Sequence, residues 1–179
     1  MKKETKLLNL ALSAMFLALA YVMPFLTGQI PQIGAMLCPM HIPVILCGFA
    51  CGWPWGMLVG LTAPLLRSLT LGVPPLFPKA VAMAFELLAY GFVSGFMYSI
   101  LPKKKGYIYC SLIVARAVGR LVWGAVQFLC AGLDASEFSF EAFWAGAVTN
   151  ALPGIVHQLL LIPILVMLLE SAKLTSKKL

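Results

Sequence analysis

Charge, and above all negative charge, is what this sequence has least of: six Asp and Glu stand against thirteen Lys and Arg in 179 positions, and charged residues make up only 11% of the chain. With 61% hydrophobic residues, too little polar surface is left to cover a water-facing globule, which excludes an ordinary soluble fold. The excess of positive charge, +7, does not point to nucleic acid. The lysines fall in three short clusters, Lys2-Lys3-Lys6, Lys103-Lys104-Lys105 and Lys173-Lys177-Lys178, each beside an apolar run. Cytoplasmic ends of membrane helices look like this.

Further absences narrow the chemistry. Five cysteines, Cys38, Cys47, Cys51, Cys110 and Cys130, show no CxxC spacing and read as small core residues. The two histidines, His41 and His157, are far apart, with no cysteine or carboxylate at ligand spacing, so no metal site is expected. No GxxxxGK[ST] occurs; if the chain moves a solute uphill with ATP, another protein must hydrolyse it. The first apolar run follows lysines but exceeds a secretory h-region and has no small-residue cleavage site after it, so it reads as a retained helix.

What is present is a succession of apolar runs, each near the roughly 20 residues that cross a hydrocarbon core. Spans are expected over 7–26, 36–52, 55–71, 79–101, 107–132 and 144–169, giving an all-α integral membrane protein of six transmembrane helices in a single domain, 1–179. The turn signals are Thr27-Gly-Gln-Ile-Pro-Gln-Ile-Gly34, Gly52-Trp-Pro-Trp-Gly56, Gly72-Val-Pro-Pro-Leu-Phe-Pro78 and the triple lysine. With both termini cytoplasmic, the lysine turn and basic tail fall inside and the acidic 134–141 stretch outside, as the positive-inside bias requires.

Ionisable groups inside hydrocarbon cost about 2.5–3.5 kcal/mol each on insertion scales, so those that persist mark a cavity or a partner. In the fifth span Arg116, Arg120, Trp123 and Gln127 stand at offsets 0, 4, 7 and 11, one inward stripe. The sixth carries Asn150, Gly154 and His157 at 0, 4 and 7, with Gln158 beside them. The fourth adds Glu86, with Tyr90 one turn deeper and Lys79 near the boundary. Glu86 either pairs with Arg116 or Arg120 merely to hold helices together or belongs to a binding seam. The second reading is preferred, with Glu86, Arg120 and Asn150 as direct contacts. Arg67, Lys79, Arg116 and Arg120 against Glu86 leave three positive charges unpaired, which suits a carboxylate or other anion. His41 in Pro39-Met-His-Ile-Pro43 is either a ligand or switch or, the preferred reading, a capped structural residue.

The whole chain resembles the S component of energy-coupling factor transporters. Helix 1 carries Ala14-Met-Phe-Leu-Ala18, similar to the AxxxA stripe with which S components dock onto the T component. The blocks Pro39-Met-His-Ile-Pro-Val-Ile-Leu-Cys-Gly-Phe49, Thr62-Ala-Pro-Leu-Leu-Arg-Ser68 with Pro74-Pro-Leu-Phe-Pro78, and Asn150-Ala-Leu-Pro-Gly154 carry the resemblance further. It implies a plasma-membrane subunit that captures a vitamin toward the extracellular side, between helices 4 to 6 and under the loop corresponding to Gln29 to Ala35. It also implies a T component and two ATPase subunits as partners, no cofactor in this chain, and release by toppling in the membrane. The blocks resemble pantothenate-type members most; folate, riboflavin and others stay open. Cobalt and nickel members are disfavoured, because the N-terminus lacks their Met-His pattern. Two other classes compete. A six-helix scaffold of the cell-wall elongation machinery would not need the arginine stripe. A CAAX-type protease would need a glutamate pair and two histidines, where this membrane interior holds one glutamate.

Overall fold

The computed structural model describes residues 2–27, 38–102, 104–133, 144, 152–172 and 175. Among them the chain is helical, without strands: α1 (Lys2–Val22), α2 (His41–Cys51), α3 (Trp53–Leu71), α4 (Val81–Ile100), α5 (Lys105–Leu133) and α6 (Leu152–Ser171). Among the described residues, four stretches are long and apolar enough to cross a membrane: Lys6–Phe25, Leu76–Ile100, Lys105–Gly132 and Pro153–Ser171. In lipid the backbone must satisfy its own hydrogen bonds, which is why these apolar runs are helices.

The turns are cut where the sequence allows no helix. Between α2 and α3 one residue, Gly52 at φ 92°, makes the reversal, and Trp53 and Pro54 enter the first turn of α3, where a missing N–H costs nothing. Gly72 at φ 67° ends α3 and its N–H bonds Ser68 O. Leu76–Ala80 then form one wide turn with Phe77 extended, so α4 starts at Val81 rather than 79. Leu101, before Pro102, is extended and closes α4. Helix α2 begins at His41 and not at 36, because Cys38 adopts φ 48° and cannot sit in a right-handed helix. Residues 145–151 of the expected sixth span lie outside the described residues.

Helix α4 is the axis of the bundle: it packs against α2, α3 and α5, while α1 covers α2 and α3, and α6 covers α2 and α5. More than half of its apolar span is buried, against under a third in α1, α5 and α6. All eleven residues of α2 are buried. The α3–α4 contact is backbone on backbone. Gly56 of α3 faces Gly91 of α4, Gly60 of α3 faces the Leu87 backbone, and Gly95 of α4 faces Trp53 of α3 and Gly48 of α2: a Cβ on Gly91 would lie 2.2 Å from Gly56 O, and one on Gly60 2.3 Å from Leu87 O. Between hydrocarbon-solvated helices, such close van der Waals approach supplies the association that water supplies elsewhere.

Polar links hold both ends. At the Cys38 end, Arg67 is buried and donates to Tyr21 O at 2.8 Å with its guanidinium 4.9 Å from the Phe25 ring centre. A cation on the last carbonyls of α1 satisfies an orphan acceptor and complements the helix dipole. At the other end Tyr98 of α4 donates its hydroxyl to Glu170 of α6, and Asn9 Nδ2 of α1 reaches Cys51 O of α2 at 3.4 Å.

Candidate functional site

The costly groups meet. Glu86 lies five residues into α4, about 8 Å down the axis at 1.5 Å per residue, and is 2% exposed. Its Oε1 takes three neighbours: Arg120 Nη1 of α5 at 3.1 Å, the Tyr90 hydroxyl, which donates at 2.9 Å, and His41 Nε2 of α2 at 3.5 Å. Tyr90 follows Glu86 by one helical turn, so its hydroxyl reaches back along α4. Its ring is fully buried, 5.3 Å from the His41 ring centre, and rests on Gly119 of α5, where a Cβ would come within 2.3 Å of Cε1. Only glycine at 119 lets α5 approach this ring.

Arg116, one turn before Arg120, is 7% exposed and its guanidinium lies 5.2 Å from the Tyr90 ring centre. Such a contact supplies cation–π attraction, but Nε, Nη1 and Nη2 make no hydrogen bond among the described residues. Arg120 extends the stripe outward, 5.9 Å from the Trp123 ring centre. Trp123 and Gln127 are half-buried beyond it.

Cys38 closes the cluster from above. Its carbonyl accepts from Gln158 Nε2 of α6 at 3.2 Å, and its sulfur from Arg120 Nη2 at 3.9 Å. A non-glycine residue at positive φ is strained by roughly 1–3 kcal/mol and persists where neighbours over-determine it; here α5 and α6 both hold it. Four helices and the turn before α2 thus converge on one carboxylate, two guanidiniums, a phenol, an imidazole, a thiol and an amide. Chemically, the arrangement can hold an anion at a guanidinium and accept hydrogen bonds at Glu86.

The seam differs from the sequence expectation in several places. His157 is exposed; one residue turns a helix by about 100°, and the adjacent Gln158, fully buried, has the inward position instead. Asn150 lies outside the described residues. Lys79 is exposed, and Arg67 serves the end of α1 rather than the seam. His41, expected as a capped structural residue, is buried in the cluster, with neither ring nitrogen hydrogen-bonded among the described residues. Its level with Glu86, at the same end of the bundle, was the available signal. Cys38 stands among the charges and Cys110 is exposed, while Cys47, Cys51 and Cys130 are buried as expected of core residues. On the outside of the bundle, Ala14 and Ala18 of α1 are exposed beside Met15 and Leu19, while Phe16 and Ala20 turn into the core. This face borders an apolar groove against α2 and α6, lined by Met15, Leu19, Ile42, Leu46, Leu165 and Leu169.

No curated protein and no solved structure matches the chain. A family model described as ECF transporter, substrate-specific component, matches residues 8–166, nearly the full length and every helix around the cluster. With all-helical architecture and repeated membrane-length spans, this makes the protein a multi-pass membrane subunit that binds a small molecule for a transporter and works with T and ATPase subunits; it is not an enzyme. The chain belongs to the substrate-specific components of the energy-coupling factor transporters.

Proposed function

We propose that the chain captures a vitamin or related micronutrient, with pantothenate the first candidate, at the cluster of Glu86, Arg116, Arg120, Trp123, Gln127 and His41, joined by Gln158. The observation that carries this reading is the burial of Glu86 with two arginines and a histidine at one junction of α2, α4 and α5. Holding helices together would require one cation beside Glu86; more ionisable groups than that, each costly in hydrocarbon, favour a ligand. Asn150 belongs to the same proposal, on the sequence pattern alone. Pantothenate offers a carboxylate for a guanidinium and hydroxyl and amide donors for Glu86 and the glutamines, and the sequence blocks resemble its carriers most.

In this reading the termini face the cytoplasm, so the cluster lies toward the outer surface, and ATP is hydrolysed by the partner ATPase subunits with no cofactor in this chain. Ala14 and Ala18, small and outward-facing, form the stripe that meets the T component.

The reading is tested by exposing the purified chain to a panel of vitamins and recording its heat stability. A ligand at a thousandfold excess over its dissociation constant stabilises by about 4 kcal/mol. One selective stabiliser, pantothenate first, is the expected result; no shift from any vitamin in a folded sample contradicts it.

A further inference from the structure

We infer that Arg116 anchors a single carboxylate on the captured molecule, and that Arg120 is the internal counter-ion of Glu86. The inference rests on the capture reading and concerns how the same cluster selects its ligand.

The charge balance of the fold singles out Arg116. Four cations stood near the membrane interior in the sequence. The Arg67 guanidinium is on the end of α1, bonded to Tyr21 O and set against Phe25. Lys79 is exposed. Arg120 is 3.1 Å from Glu86 Oε1 and also reaches the Cys38 sulfur. Glu86 in turn is occupied by Arg120, the Tyr90 hydroxyl and the nearby His41 ring. Arg116 remains, buried, with no hydrogen bond from any of its three nitrogens among the described residues and with the Tyr90 ring against it. Among the described residues the cluster therefore carries one positive charge beyond its own carboxylate.

A buried guanidinium without a partner is costly, and its planar fork matches a carboxylate with two parallel hydrogen bonds. The excess is one charge, not the three that the sequence suggested, and Glu86 repels a second negative group, so a monoanion fits and a dianion does not. Tyr90, pinned by Gly119 and His41, holds its ring 5.2 Å from the Arg116 guanidinium and offers it no hydrogen-bond acceptor. A site built around such a pair discriminates sharply, because a neutral analogue leaves the charge buried and unpaired.

The experiment measures binding to the folded wild-type chain in detergent by calorimetry, using three acids each paired with an uncharged analogue: pantothenate with panthenol, nicotinate with nicotinamide, biotin with biotinamide. One acid is expected to bind at least about 100-fold tighter than its uncharged partner. Arg116→Gln is expected to bring that ratio below about 10 by weakening the acid alone, and Arg116→Lys, which keeps the charge, to restore part of it. An uncharged analogue binding within about threefold of its acid overturns the assignment, as does an unchanged ratio in Arg116→Gln. Should that variant not fold, the wild-type ratio decides alone. If riboflavin or thiamine binds and no acid does, the anchor falls while capture stands. If none of these compounds binds, capture falls with it.

Discussion

Replacing Glu86 by alanine is expected to destabilise the chain by about 3–5 kcal/mol, the cost of leaving a buried ion pair broken. Arg120 loses its 3.1 Å partner and Tyr90 the acceptor for its hydroxyl. Arg116 and Arg120 then share the buried cluster without an anion. Alanine also removes atoms from a fully packed position, a loss of the same sign, so a charge-neutral double variant is needed to separate charge balance from simple packing. Glu86→Gln with Arg120→Gln removes both charges while keeping polar groups at both positions. That pair should recover most of the loss, so the two substitutions are strongly non-additive, by roughly 1.5 kcal/mol or more. Chemical unfolding in detergent of the two single variants and the double reads the coupling. A loss under about 1 kcal/mol for Glu86→Ala, or additivity within about 0.5 kcal/mol, contradicts the ion-pair role.

Leucine at both Ala14 and Ala18 is expected to abolish uptake while the isolated chain still binds its substrate. Both alanines are exposed on the outer face of α1, away from Phe16 and Ala20 in the core, so larger side chains there leave the bundle intact. They would fill the flat stripe that a neighbouring helix needs for close approach. At roughly 1–3 kcal/mol for each overpacked position, assembly with the T component weakens at least about 30-fold. Co-purification with the T and ATPase subunits and uptake by reconstituted vesicles are the readouts. Normal assembly of the variant refutes the stripe; loss of substrate binding places these alanines in the fold instead.

The helix bundle was legible because hydrocarbon forces a simple pattern: apolar runs of spanning length, cut by glycine, proline and lysine. Gly52 and Gly72 are where that pattern turns. The boundaries were less so. The start of α2 depends on Cys38 at positive φ, a conformation that tertiary neighbours impose and a cysteine does not announce. Gly56 and Gly91 each stand in a GxxxG spacing, but spacing alone does not say that these two glycines meet, or that Gly60 meets Leu87 and Gly95 meets Trp53 and Gly48.

In the site, Glu86, Arg116 and Arg120 were found together because charge in a membrane has few places to go. His157 shows the limit of helical periodicity. From Gly154, offsets of 3 and 4 both return to one face, so the face that the 0, 4, 7 spacing marked for His157 fits Gln158 equally well. The structure turns Gln158 inward, to the carbonyl of Cys38. Arg67 could not be assigned from sequence at all: its partner is a backbone carbonyl of α1, 46 residues away.

The most direct measurement is the affinity of the neutral double variant Glu86→Gln/Arg120→Gln for the vitamin that stabilises the wild-type chain. This variant is expected to keep the fold but removes two of the three charges of the cluster, so capture at these residues predicts a loss of at least about 100-fold, with thermal stability near that of the unliganded parent. Wild-type affinity in the folded double variant would place the binding site elsewhere in the bundle.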